Sequence, residues 1–166
     1  MKEFEGTEGL YLDTNMIYDY VKNVLNNKKH KESYVIKLLS NSELKGKFRI
    51  FISHFTIAEI ITRMKNDFPT RYQQLGKDKV MGIIVSAVSV IGGKIIYHDA
   101  KLTRTIIDFA DLCKDKDDII HAEISKNENL GLVTDDDELG RICDIWEHVV
   151  GKSKFIGHLE GMLPTS

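Results

Sequence analysis

The sequence predicts a three-layer α/β/α sandwich on a mostly parallel sheet of four or five strands. Three observations predict it. Short apolar runs bounded by turn residues recur along the chain, each gives way to a stretch of helical period, and no linker divides the 166 residues. Strands that alternate with helices imply βαβ units, whose crossovers cover both faces of a parallel sheet.

The elements follow in order. Gly9-Leu10-Tyr11-Leu12-Asp13 is an apolar run bounded by Gly and Asp-Thr-Asn, the pattern of a buried strand. A helix over about Met16–Asn26 places Ile17, Tyr20, Val21, Val24 and Leu25 on one face, and a second, about Lys31–Leu44, carries Tyr34, Val35, Leu38 and Leu39. Phe48–Ser53 reads as the second strand. From Phe55 the period changes, and Ile57, Ile60, Ile61 and Met64 form an amphipathic helix closed by Pro69. A long helix over about Tyr72–Ile91 ends at Gly92-Gly93, Lys94–His98 is a third strand, and Ala100–Cys113 a further helix. Asp117–Asn127 is helical, Leu130–Thr134 a fourth strand and Asp136–Glu147 a helix, with a weak fifth strand between Val149 and Ile156.

Length and composition suit one domain, residues 1–166, with 42% hydrophobic and 29% charged residues. The polar start MKEFEGTEG offers no secretory signal, and the longest uncharged run, Val80–Gly93, is too short to span a bilayer. Cys113 and Cys143 form neither a ligand-spaced pair nor a disulfide framework, so a reduced cytoplasmic protein is expected. A formal net charge of −2 argues against coating nucleic acid by bulk electrostatics, while allowing contact with a few phosphates through a bound metal.

Two strands run into acids in the same way: Leu10-Tyr11-Leu12 into Asp13, and Leu132-Val133-Thr134 into Asp135 and Asp136. Ligands of open parallel sheets bind outside the carboxyl ends of strands, so Asp13 and Asp136 are expected on one working edge. Glu59 lies near the start of the helix after the second strand, and helix starts face the same edge. Asp118 opens the helix leading to the fourth strand, and only helix phase directs it inward. Carboxylates brought together raise one another's pKa, a conflict that a hard divalent cation such as Mg²⁺ or Mn²⁺ removes. Such a cation activates water and neutralises charge on a phosphodiester. No Ser-His or Cys-His arrangement competes as nucleophile.

These motifs carry a resemblance. Asp13-Thr14-Asn15, Thr56-Ile57-Ala58-Glu59, Asp118-Ile119-Ile120-His121-Ala122 and Val133-Thr134-Asp135-Asp136, in this order, resemble the PIN-domain ribonucleases from Leu10 to about Ile142. The resemblance implies a Mg²⁺- or Mn²⁺-dependent endoribonuclease acting on RNA, often the toxin of a VapC-type pair with a protein antitoxin. By position, Asp13, Glu59, Asp118 and Asp136 match the acidic quartet. Glu138 matches an additional acid of some members, Asn15 and Thr134 match polar residues that hold the first and last acids, and Thr56 matches the polar residue ahead of the glutamate. A homodimer is a further expectation by analogy, through an exposed face of the Tyr72–Ile91 helix. Two departures bear on the toxin role: a longer interval from Glu59 to Asp118, and a tail beyond Trp146 without a clear closing strand.

Other readings compete at each residue. Asp13 can cap the following helix, since Asp-Thr-Asn is good capping chemistry. Glu59 can be a solvated helix glutamate. Asp117 rivals Asp118, and the Asp115, Asp117, Asp118 cluster can simply complement a helix dipole. Asp135 and Asp137 rival Asp136. His121, three residues after Asp118, could share its helix face as a metal ligand but is read as structural; Arg63, Lys65 and Arg71 could contact RNA phosphates on the rim but are read as a solvated face. An aspartate-nucleophile phosphatase needs an acid where Asn15 stands, and a phosphoacceptor domain needs an acidic pair and a late lysine that cannot be placed. A PIN-like module that binds RNA or protein with weak or no catalysis is the remaining alternative.

Overall fold

The computed structural model describes residues 1–26, 33–96, 116–135, 142 and 144–164, with the backbone alone at 116–118. The strands β1 (Leu10–Leu12), β2 (Ile50–Ser53), β3 (Lys94–Ile96), β4 (Gly131–Thr134) and β5 (Val149–Gly151) form one sheet in the order β3-β2-β1-β4-β5. Every neighbouring pair is parallel, with Leu10 opposite Ile50 on one side and Gly131 on the other. The helices are α1 (Thr14–Leu25), α2 (Tyr34–Leu39), α3 (His54–Asp67), α4 (Pro69–Val90), α5 (Lys116–Asn127) and α6 (Lys152–Gly161).

Strand alternation builds the layers, because successive side chains point to opposite faces. Leu10, Leu12, Ile50, Ile52, Val133 and Val150 pack with Met16, Ile17 and Val21 of α1, Ile60 and Met64 of α3, Ile84 of α4 and Phe155 of α6. Tyr11, Leu132 and Val149 face the other way, against Ile119, Ala122 and Ile124 of α5 with Ile142 and Ile145. Both faces of the sheet are therefore covered, which explains why its strands read as continuous apolar runs. Each fully buried side chain such as Met16 or Ile17 contributes about 1.5–3 kcal/mol of transfer free energy. Among the described residues no helix is long and apolar enough to cross a membrane.

Three expectations need correction. The second helix stops at Leu39 and not near Leu44, because the chain turns: Asn41 Oδ1 accepts the Glu43 backbone N–H at 2.9 Å, a local bond that competes with helix. Pro69 closes one helix and also opens the next at its first position, and α4 is kinked at Gly76, whose φ of 74° is left-handed. The tail does carry a closing strand. Val149–Gly151 pairs with β4, and from Lys152 the chain is helical, so the strand is shorter than the Val149–Ile156 window. The expected helix at Ala100–Cys113, and Asp136 to Arg141 of the helix expected at Asp136–Glu147, lie outside the described residues; Ile142, Asp144 and Ile145 are helical.

Candidate metal centre at the strand switch point

The connection out of β1 leads to β2 on one side, while β4 joins it from the other, so the strand order reverses between β1 and β4. The crevice at such a switch point is where open parallel sheets bind ligands. Asp13 stands there. Its backbone N–H donates to the Val133 carbonyl at 3.0 Å, which ties the end of β1 to β4. It occupies the N-cap position of α1, yet its side chain makes no capping bond. The carboxylate turns to the crevice instead, where Oδ2 accepts the Thr134 hydroxyl at 2.9 Å and the residue is only 4% exposed.

Glu59 reaches the same place from α3. Ser53 starts that helix by accepting the Thr56 backbone N–H at 3.2 Å, and Glu59 lies on the turn that follows. Its Oε2 accepts the Thr14 hydroxyl and lies 3.2 Å from His121 Nε2. Its Oε1 lies 2.5 Å from Arg63 Nη2. Burial pushes the Glu59 carboxyl up, but the hydrogen bonds from His121 and Thr14 and the charges of His121 and Arg63 more than offset it, leaving the pKa lowered.

His121 lies between the two acids. Its Nε2 is 3.5 Å from Asp13 Oδ1 as well as 3.2 Å from Glu59 Oε2, and Thr14 Oγ1 is 3.1 Å away. Its Nδ1 is 2.9 Å from the Tyr11 hydroxyl, which also reaches Ser53 Oγ at 2.7 Å and Thr56 Oγ1 at 3.2 Å. Burial alone lowers the imidazole pKa. The Tyr11 oxygen, the bond to Glu59 and the charges of Asp13 and Glu59 outweigh it and hold the ring protonated, well above 6.5. In that state both ring N–H groups donate, one to Tyr11 and one toward the acids.

The sequence-predicted residues are thus placed unequally. Asp13 and Glu59 come together, and Thr134 and Thr56 support the crevice. Asn15 bonds to Arg63, not to the acid it was expected to hold: its Oδ1 accepts from Arg63 Nη1 at 2.7 Å, so it bears on Glu59 through that guanidinium. The side chains of Asp117 and Asp118, and Asp136, Asp137 and Glu138 entirely, lie outside the described residues. Asp135 is 3.0 Å from Lys152 Nζ, which is also 3.6 Å from Asp19. Arg63 is no solvated bystander, since Glu59 and Asn15 both hold it.

Sequence reading set His121 aside as structural and missed Thr14, Tyr11 and Ser53 as members of this network. The available signal was His121 itself, three residues after Asp118 on the same helix. The hydroxyls of Thr14 and Ser53 stand beside two strand ends, and no spacing in the sequence singles them out.

Two buried carboxylates from separate elements, both within 3.5 Å of one positive nitrogen, form a hard-oxygen donor set that suits a divalent cation. Among the described residues no group of three His, Cys, Asp or Glu side chains converges to hold a metal unaided. Asp13 and Glu59 are the described carboxylates that could contribute to such a site.

The sheet order, the crevice and its acids fit one family, and a family model decides the matter: the PIN domain model matches residues 10–145. This chain belongs to the PIN-domain family. PIN domains are in general nucleases and typically use divalent metal ions. Two solved structures share the PIN fold with it. One is PAE2754 from Pyrobaculum aerophilum, with 15% identity, a TM-score of 0.58, and coverage of 95% of this chain and 94% of that one. The other is VapBC2 from Rickettsia felis, bound to a DNA fragment from their promoter, with 20% identity, a TM-score of 0.53, and coverage of 86% and 97%. No curated protein matches the chain.

Proposed function

We propose that the protein is a Mg²⁺- or Mn²⁺-dependent endoribonuclease, with residues 1–166 forming one PIN nuclease domain. The observation that carries this reading is the buried pair Asp13 and Glu59 at the switch point, both facing His121 Nε2 within 3.5 Å. Packing of Phe155 and Leu159 of α6 into the core beneath the sheet supports one domain that extends past the family match.

Asp13, Glu59, Asp118 and Asp136 would hold the cation, and Glu138 would add an acid to the same edge. When bound, the cation supplies an activated water and neutralises charge on the phosphodiester. The protein's own residues do the positioning. Thr134 fixes the Asp13 carboxylate, Thr14 fixes Glu59, and Asn15 holds Arg63 against Glu59. The Tyr11 hydroxyl, itself held by Ser53 and Thr56, fixes the imidazole behind both acids, and burial excludes bulk water from that side.

A toxin role with a protein antitoxin, in the cytoplasm, is part of the proposal and draws support from the likeness to VapBC2. A homodimer is proposed through the exposed Met81, Val85 and Val90 of α4. The test is cleavage of structured and unstructured RNA with Mg²⁺, with Mn²⁺ and with chelator. Cleavage that requires either metal is expected; chelator-resistant cleavage would sink the mechanism.

A second reading, a PIN module that binds RNA or protein without cutting, has one observation in its favour. The His121 ring nitrogen already stands within 3.5 Å of both acids, filling the space between them. Calorimetric titration separates the two, because this reading expects a folded protein that takes up neither metal.

A further inference from the structure

Arg63 sits in α3 one turn beyond Glu59 and is fixed from three sides. Nη2 meets Glu59 Oε1 at 2.5 Å, Nη1 donates to Asn15 Oδ1 at 2.7 Å, and the guanidinium carbon lies 5.7 Å from the centre of the Tyr18 ring. Tyr18 is in turn held by its hydroxyl donating to Asp67. A guanidinium carries five N–H donors in a rigid fork. The contacts among the described residues engage one donor on each terminal nitrogen, and the side chain is still 36% exposed. Lys152, another cation at this edge, is shared between Asp135 and Asp19.

A long flexible side chain held this way loses its rotamer freedom before any ligand arrives, so a ligand pays less to use it. The ion pair with Glu59 alone does not call for Asn15 and Tyr18 as well. A cluster of acids also repels a polyanion, and a fixed cation on its rim reduces that repulsion where a phosphate must approach. We propose that Arg63 is a substrate-contacting residue that binds a backbone phosphate of the nucleic acid beside the acidic centre, preorganised by Asn15 and the Tyr18 ring. The proposal rests on the nuclease reading above.

The test is binding of a single-stranded RNA oligonucleotide to Asp13→Asn protein, followed by fluorescence anisotropy across a salt series. Removing one phosphate contact lowers the slope of log Kd against log salt by about 0.7 for a single strand. Arg63→Gln is expected to weaken binding about tenfold with that drop in slope, the size of a lost charge-assisted hydrogen bond. Arg63→Lys keeps the charge and the slope but loses the fork, so it binds more weakly than the parent. A folded Arg63→Gln protein with unchanged slope overturns the proposal, because a purely structural role does not alter counterion release. RNA binding too weak to measure in the Asp13→Asn parent overturns it as well. If Arg63→Gln does not fold, Asn15→Ala decides: weaker binding at constant slope supports the proposal, and unchanged affinity overturns it. Failure of wild-type protein with metal to cleave any RNA sinks the nuclease reading itself, whereas cleavage with an unchanged slope removes only the role of Arg63.

Discussion

The hydroxyl of Thr134 donates to Asp13 Oδ2 at 2.9 Å, and both residues are almost wholly buried. This bond joins the carboxyl ends of β1 and β4 and aims the acid across the crevice. Thr134→Val keeps the shape and removes the donor. It should cost about 1–3 kcal/mol of stability, because the carboxylate oxygen is left buried without a partner. Urea denaturation measures that loss, and calorimetry should show weaker Mn²⁺ uptake by the same variant.

His121 stands between the two acids. Taking away one member of a buried charge cluster leaves the others uncompensated, typically at about 3–5 kcal/mol. His121→Ala should therefore destabilise the metal-free protein by roughly that amount. On the proposed function a divalent cation would restore the balance of charge, so saturating Mg²⁺ should raise the melting temperature of His121→Ala more than that of wild type. An equal or smaller rise in the variant would mean that the histidine and the cation do not act at one place.

Tyr18 gives a pH test away from the acids. Its hydroxyl donates to Asp67, and burial, followed by that bond and the Asp67 charge, raises its pKa far above 10.0. A tyrosine raised in the folded state contributes stability that is fully present below its unfolded pKa. The contribution is lost as pH rises from about 10 through the folded value. Tyr18→Phe should thus cost about 1.5–3 kcal/mol at pH 8, the range for a hydrogen bond to a charged group. The gap between variant and wild type should narrow above pH 10. Chemical denaturation at pH 8 and pH 10.5 checks both halves.

Gly9 tests the fold beneath the site. A Cβ there would stand 2.5 Å from the Arg49 carbonyl oxygen and 2.8 Å from the Phe51 ring. The carbonyl belongs to backbone that pairs with β1 and cannot swing aside. Gly9→Ala should lose about 1–3 kcal/mol, the usual cost of overpacking, in equilibrium unfolding.

Much of this was legible in the sequence, and the reason is specific. A parallel sheet covered on both faces writes its strands as apolar runs, so Leu10–Leu12, Ile50–Ser53 and Gly131–Thr134 stood out. Strand ends followed by polar residues then marked the working edge, which placed Asp13 there from residue order alone. Glu59 was weaker, since one glutamate on a helix has no address without its neighbours. His121 was harder still. Whether a helical histidine points to solvent or into a crevice depends on helix phase against the sheet, which only its contacts with Tyr11, Asp13 and Glu59 reveal. Arg63 looked like a surface charge because its partners, Asn15 and Tyr18, lie on α1, 48 residues from it in the case of Asn15. The α4 kink was hidden because a glycine in a helical pattern is usually tolerated, and Gly76 breaks the helix only through its positive φ.

On the proposed function, Asp13 is a working acid of a metal-dependent ribonuclease and not a helix cap. The most direct measurement is RNA cleavage by folded Asp13→Asn protein under saturating Mg²⁺ or Mn²⁺, beside wild type. The geometry predicts a loss of roughly a thousandfold, the order found when a group that stabilises transition-state charge is removed, with circular dichroism unchanged. Cleavage at the wild-type rate by the folded variant would contradict it.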